Sequence, residues 1–339
     1  MTHPHDSNIG SLVATLIGDR RAEALFQAVA VPPALDGPWQ ARVPRAQLAM
    51  AMNLLLFEDL ERRVPSAQAY VRDRLAAGHQ VRFDHGALRT VLAPCGLLPA
   101  GEAAFTRLLE PLGYRRAAVY PLDRLGMTGR AYAHQDYPED IPQFFVSEIH
   151  PERFSAGFQA AVARTVGGSV DPLPLWALPV LEDLRASGSL AHDQALRLLP
   201  NLAACFDRHH PAPLWADYQA LLAESEEMAW IATEGNAFNH ITDRVEDVEA
   251  LTREQKDLGR PMKDTVEVSA SGRVIQTAFR AAQVERPFRG PDGHLTVAAV
   301  PGSFIEFITR KPLADGRLDL GFDASNAQAI FKMTAPEGR

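Results

Sequence analysis

The sequence predicts an α+β protein in which two βαβββ-type modules build one curved sheet, with helices added before and between them. Three observations predict it. The motif Phe-x-His-x-x-x-Arg occurs twice, at residues 83–89 and 238–244, an offset of 155 residues. Each copy is followed by a stretch of helical periodicity and then by strand-like segments. Helical blocks precede the first copy and separate the two, and a repeated unit of this kind is an architectural signal in its own right.

Taken in order, residues 9–30 place Leu12, Leu16, Leu25 and Phe26 at helical spacing, and residues 44–78 continue with Leu48, Met52, Leu55, Leu56, Tyr70, Val71 and Leu75. Val81, Phe83 and His85 then alternate as a strand, 101–112 reads as a helix with Phe105, Leu108 and Leu109 on one face, and Tyr114 to Leu122 and Gln143 to His150 read as strands. Residues 151–233 return to helix, rich in Ala and Leu and punctuated by Pro172, Pro174, Pro179, Pro200, Pro211 and Pro213. The second piece opens on Asn236-Ala237-Phe238-Asn239-His240. It continues through a helix from Val245 to Leu258 and strands near 265–270, 273–284, 294–300 and 303–310. The organisation expected is a helical segment at 1–79, a first module at 80–150, an inserted helical segment at 151–234, and a second module with a C-terminal tail at 235–339, the two modules packing as one catalytic domain.

Composition narrows the function classes. A chain of 339 residues with 46% hydrophobic and 22% charged residues has enough apolar material for a sizeable core. A net charge of -8 disfavours a nucleic-acid surface as the main theme. The N-terminus shows no basic segment followed by an apolar core, and the apolar run from Ala46 to Phe57 is well short of the ~20 residues that span a bilayer, so a cytoplasmic location is expected. Cys95 and Cys205 are too few for a disulfide framework or a structural zinc site of their own. No Walker A loop, Gly-x-Gly-x-x-Gly after a strand or Gly-x-Ser-x-Gly elbow is present, which leaves nucleotide, nicotinamide and serine-hydrolase chemistry without local support.

What departs from plain packing is polar. A buried carboxylate must be paired or bind a metal. Glu306 stands in Phe304-Ile305-Glu306-Phe307 with apolar neighbours on both sides, and Val146-Ser147-Glu148-Ile149 is the corresponding piece of the first module. The separations from His to Glu are 66 and 63 residues. Two imidazoles and one carboxylate with open positions left over form the donor set of non-haem ferrous iron oxygenases. A lone His in a strand is an ordinary hydrogen-bonded residue and a lone Glu an edge residue facing solvent; the recurrence of the motif favours His85 and His240 as ligands. On the repeat alone, Glu148 and Glu306 are rivals for the carboxylate position.

At these residues the chain resembles the 2-oxoadipate dioxygenase/decarboxylase (hydroxyglutarate synthase) family of the vicinal oxygen chelate, or glyoxalase-like, superfamily. The matching segments are Asp84-His85-Gly86-Ala87-Leu88-Arg89-Thr90, Phe145-Val146-Ser147-Glu148-Ile149, Phe238-Asn239-His240-Ile241-Thr242, Ile275-Gln276-Thr277-Ala278-Phe279 and Phe304-Ile305-Glu306-Phe307, with the tail Gly321-Phe322-Asp323-Ala324-Ser325-Asn326-Ala327. The resemblance runs from about residue 45 to the C-terminus, in a chain shorter than the best-characterised members. It implies an Fe(2+) site on His85, His240 and Glu306, with Glu148 as runner-up fourth or supporting ligand. It also implies substrate contacts from Arg89 and, in the tail, Ser325 or Asn326. The activity implied is conversion of 2-oxoadipate and O2 to 2-hydroxyglutarate and CO2, a step of lysine catabolism. Arg89, four residues after His85, is expected on the same strand face, about 13 Å further along at its Cα.

Gln276 and Thr277 are polar in an expected sheet and stand as candidate substrate contacts. His134, His150, His209 and His210 lie in or beside expected loops and read as surface histidines, and Glu224-Ser225-Glu226-Glu227 as a solvated helix face. Two other readings remain open. A glyoxalase-type lyase or isomerase would use zinc or nickel and recruit Glu148, and a non-catalytic member would bind a small molecule without turnover.

Overall fold

The structure, a computed structural model, describes residues 4–322. The chain opens with α1 (Asn8–Ile17), α2 (Asp19–Ala28), the short β1 (Arg42–Pro44), α3 (Arg45–Arg63) and α4 (Pro65–Ala76). Ser7 starts α1 by accepting a hydrogen bond from the Gly10 N–H, and Pro65 opens α4 where a missing N–H removes no helical bond. No helix among the described residues is long and apolar enough to cross a membrane.

The first module follows as β2 (Phe83–Val91), α5 (Ala103–Leu109), β3 (Tyr114–Leu122), β4 (Met127–His134) and β5 (Gln143–Ile149). The sequence did not single out β4: Met-Thr-Gly-Arg-Ala-Tyr-Ala-His has only one β-branched residue, and its pairing on both sides with β3 and β5 makes it a strand. The intervening block holds α6 (Ala156–Val166), α7 (Ala177–Ser187), β6 (Ser189–Ala191), α8 (His192–Ala204), α9 (Trp215–Glu224) and α10 (Glu226–Glu234), with β6 paired antiparallel to β1. Pro200 does not end a helix as expected but sits inside α8, near its end.

The second module comprises β7 (His240–Arg244), α11 (Val248–Asp257), β8 (Glu267–Val268), β9 (Val274–Ala278), β10 (Gln283–Arg289), β11 (Leu295–Pro301) and β12 (Phe304–Arg310). The strand expected over 273–284 is two strands. β9 stops at Ala278, and β10 begins a hairpin with β11 that stands outside the main sheet, which lets β12 return to pair directly with β9.

The main sheet has eight strands in the order β3-β4-β5-β2-β7-β12-β9-β8, curled into a half-barrel. In each module the first strand pairs parallel with the last, and the two first strands pair antiparallel with each other. This seam gives the 155-residue echo its physical meaning. Gly86 faces Ile241 at its centre, with His85 opposite Thr242 on one side and Ala87 opposite His240 on the other. A two-fold operation about that point therefore exchanges the two histidines.

Alternation along the strands sorts side chains onto two faces. Phe83, Leu88, Phe144, Val146, Ile241, Ile305 and Phe307 join the main core beneath the N-terminal helices and α8. The opposite, inner face carries His85, Ala87, Phe145, His240, Thr242, Phe304 and Glu306. Both cysteines are buried, and burial pushes their thiols up, Cys95 to about 11 and Cys205 to about 12, so neither is primed as a nucleophile.

Gly86 is required at the seam because a Cβ there would collide with the Phe238 ring, itself packed against Phe83, Phe144 and Phe206. Gly86→Ala is expected to lower stability by about 1–3 kcal/mol through overpacking. Urea denaturation at equilibrium measures this; an unchanged midpoint would show that the aromatic cluster yields freely.

Candidate metal centre

His85 reaches the inner face through a β-bulge. The pairing with β7 shifts between Phe83 and His85, so Asp84 is the extra residue and lies beside His85 instead of behind it. The Asp84 carboxylate contacts His85 Nδ1 at 2.8 Å, and at the equivalent place in the second module the Asn239 side-chain oxygen lies 3.2 Å from His240 Nδ1. With Nδ1 engaged, each ring presents Nε2 to Glu306: the distances to its Oε2 are 3.4 Å from His85 and 2.9 Å from His240. Thr242 donates to the same oxygen at 2.9 Å and stands 3.1 Å from His85 Nε2.

The nitrogen and oxygen atoms of His85, His240 and Glu306 lie within 4.8 Å of one another, and all three residues are buried. Glu306 Oε1 is buried with no hydrogen-bond partner among the described residues, an acceptor left for something else to satisfy. Two neutral-capable imidazoles, a carboxylate and an orphan oxygen fit a divalent cation.

Charges follow the same geometry. Burial alone would raise Glu306, but the adjacent His240 charge and the hydrogen bonds from both histidines hold it well below the usual carboxylate range. Burial disfavours protonated His85, yet Asp84 and Glu306 outweigh it and its pKa is raised; for His240 burial prevails and the pKa is lowered. Arg310 holds Asp84 ionised against its own burial, bonding both carboxylate oxygens at 2.9–3.1 Å. The same guanidinium donates at 2.8 Å to the backbone carbonyls of Asp319 and Gly321 and lies over the Phe322 ring, whose edge meets His85.

Other candidates distribute unevenly. Arg89 is buried on the inner face, its guanidinium 5.1 Å from the centre of the Trp230 ring. Burial lowers its pKa to about 10, with the charges of Glu227 and Glu226 working against that, so it stays a cation at neutral pH. Gln276 shares the inner face through its register with Ile308, but Thr277 pairs with Phe307, faces the core side and donates to the Thr265 carbonyl, so it cannot touch a ligand at Glu306. Ser325 and Asn326 lie outside the described residues.

Glu148 is not the equivalent of Glu306. Glu306 pairs with Thr242, two residues past its histidine, and the residue so placed in the first module is Phe145, opposite Ala87. Glu148 lies three positions further, which turns it to the other face, where it pairs with Arg130 and accepts from the Glu102 N–H.

Sequence reasoning missed Asp84, Asn239, Thr242 and Arg310. The signal for the first two was present: an oxygen acceptor precedes His in both copies of the motif. It also misjudged the histidines outside the repeat. His134, His150 and His210 are buried, bonded respectively to the Leu112 carbonyl, Thr128 and the Ala232 carbonyl, and burial lowers His134 and His210 to about 4. The acidic stretch is solvated only in part: Glu224 is exposed, but Ser225 caps α10, Glu227 is buried, and Glu226 and Glu227 supply countercharge to Arg89.

Residues 34–332 match the model of the 2-oxoadipate dioxygenase/decarboxylase family. A crystal structure of a glyoxalase superfamily protein from Ralstonia eutropha JMP134 is 54% identical, with a TM-score of 0.91 over 95% of this chain and 99% of that one. The hydroxyglutarate synthase of Oryza sativa, crystallised in complex with 2-oxoadipate, shares the fold at 20% identity, with a TM-score of 0.68 over 91% of this chain and 98% of that one. The chloroplastic 2-oxoadipate dioxygenase/decarboxylase of Arabidopsis thaliana is 26% identical over 146 residues, 37% of this chain and only 38% of that protein's length.

Asp84→Asn is expected to reduce divalent-metal affinity about 10- to 100-fold, because the partner that orients His85 loses its charge. A bound metal must displace the proton from His85, whose pKa lies above 6.5, so wild-type affinity continues to rise with pH beyond that point, while in Asp84→Asn the rise ends earlier. Chelator competition across neutral pH reads both effects. The same substitution strands the buried Arg310 charge, at a cost of about 3–5 kcal/mol in folding stability.

Proposed function

Since the chain belongs to the 2-oxoadipate dioxygenase/decarboxylase family, we propose that it is an Fe(2+)-dependent dioxygenase that decarboxylates a 2-oxo dicarboxylic acid. The leading reaction is 2-oxoadipate + O2 → 2-hydroxyglutarate + CO2, which balances in every atom. The observation that carries this reading is the buried His85–His240–Glu306 cluster with its orphan Glu306 oxygen.

Bound there, ferrous iron would supply the electrons for O2 reduction and a Lewis-acidic place for the 2-oxo acid group. The protein's own residues do the rest. His85, His240 and Glu306 bring a net charge of one negative to a divalent cation and leave open positions for substrate and O2. Asp84 and Asn239 fix the two rings so that Nε2 faces the ion, and Thr242 fixes the Glu306 carboxylate. Arg89, a buried cation on the same strand face as His85, takes a substrate carboxylate through charge-assisted hydrogen bonds. Phe145 and Phe322, in ring contact 4.9 Å apart, line the His85 side of the inner face and keep water from it. The glyoxalase-type alternative loses its fourth ligand, because Glu148 faces the other way.

Purified protein loaded with Fe(2+) is expected to consume one O2 for each CO2 released from 2-oxoadipate. No turnover with any dicarboxylic 2-oxo acid would remove the proposal. His240→Ala should lose metal and activity together. Arg89→Ala should keep its metal while KM rises about 10- to 150-fold, the worth of a charge-assisted hydrogen bond, with Arg89→Lys intermediate. Metal content and steady-state kinetics on each variant separate the two roles.

A further inference from the structure

On the core side of the sheet, α3, α8, α10 and the detached hairpin strand β10 converge on a cavity of about 580 Å³, a size that holds a small organic molecule. Its floor is apolar: Leu55 and Leu56 of α3, Ala203 of α8, Phe206, Ala237, and Pro287 of β10. Phe206 also packs inward against Phe238, 6.0 Å away between ring centres and two residues before His240. The cavity shares no residue with the ligand cluster.

The rim is charged, and most of that charge is already committed. Arg63 bonds Asp59 at 2.8 Å and the Ser303 hydroxyl at 2.9 Å. Arg286 holds both oxygens of the buried Glu234, each at 2.7 Å. Three groups are left over. Arg208 is half-buried, forms no ion pair among the described residues, and keeps its Nη1 buried without a hydrogen-bond partner. Burial lowers its pKa and the charge of Glu234 works against that, so a cation is partly withdrawn from water with no bonded anion to compensate. Gly235, at φ 64, lies so close that a Cβ there would meet the Arg208 backbone and stem, which fixes where the guanidinium starts. Asp207 and Glu285 stand exposed at the rim, also in no ion pair among the described residues; Asp207 Oδ1 accepts the Arg208 backbone N–H at 2.6 Å.

We infer that this cavity is a second small-molecule site, separate from the metal centre, and that it takes a free α-amino acid with an apolar side chain. A carboxylate is the partner that Arg208 lacks, and a planar guanidinium suits it through charge-assisted hydrogen bonds. A bare carboxylate would enter a lining that already holds four carboxylates against three guanidinium groups. A zwitterion leaves that balance unchanged, and its ammonium meets the free acids Asp207 and Glu285. Its side chain lies on the apolar floor, where removal from water favours binding. The pocket is independent of the reaction at His85, His240 and Glu306.

Titration calorimetry on the full chain tests this with three probes that share one apolar body: L-leucine, 4-methylpentanoate, which lacks the ammonium, and 3-methylbutylamine, which lacks the carboxylate. L-Leucine is expected to bind about 10-fold or more tightly than either of the others. Arg208→Met keeps the stem and removes the charge. It should weaken L-leucine about 10- to 150-fold, while the melting temperature without ligand holds or rises, because the lost guanidinium had no bonded partner. The double variant Asp207→Asn/Glu285→Gln should bring L-leucine down to the level of 4-methylpentanoate. Wild type stripped of metal by a chelator should bind L-leucine as before, which separates this pocket from chelation at the metal ligands. The inference is overturned by any of four results: no binding of L-leucine to wild type, equal binding of 4-methylpentanoate, full affinity in Arg208→Met, or loss of binding with the metal. A lowered melting temperature with unchanged affinity in Arg208→Met would assign that side chain to the fold instead.

Discussion

The antiparallel pairing of β2 with β7 is the constraint on which the rest depends. It sets Ala87 opposite His240 and Thr242 opposite His85, so two histidines 155 residues apart in sequence become diagonal neighbours on one face. Parallel pairing of β12 with β7 then places Glu306 beside Thr242, one strand away. Because side chains on a strand alternate strictly, a slip of one residue in either ladder would turn the histidines or the glutamate into the core. Gly86 at the centre of the seam, and the aromatic cluster that forbids a Cβ there, hold that register.

The site is asymmetric although the scaffold is nearly symmetric. Both modules supply a histidine with an oxygen acceptor on Nδ1, but only the second supplies a carboxylate; its equivalent in the first is Phe145. Around the cluster the two sides also differ: Ala87, Ala131 and Phe145 pack together beside His85, while Glu306 stands beside Thr242. A symmetric site would bind a substrate in two orientations. An asymmetric site permits a single orientation of whatever it holds.

Buried charge is the cost of this arrangement and also its means of control. Asp84, Glu306, Arg89, Arg310 and the Lys263–Glu267 pair are all withdrawn from water, and each is held by a specific partner. Arg310 joins three things at once: the carboxylate that orients His85, the backbone of residues 319–321, and the Phe322 ring beside His85. The ligand geometry and the segment that covers it are thus parts of one hydrogen-bonded unit.

The amino-acid sequence by itself determined the α+β class, the two related modules, and His85, His240 and the rival glutamates Glu148 and Glu306 as the polar residues out of place in apolar strands. It could do so because the motif repeats and because strand periodicity is local. It also placed Arg89 on the face of His85, since an even spacing along one strand suffices. Only the tertiary structure chose between the two glutamates as neighbours of the histidines, because that choice depends on the register between strands 60 residues apart, and register is a property of pairing. The same reason put Thr277 behind the sheet and Gln276 in front of it, and made Glu226 and Glu227, two members of the acidic run, countercharge for Arg89. It also revealed Asp84 as the partner of His85, because a bulge exists only when two strands are laid side by side.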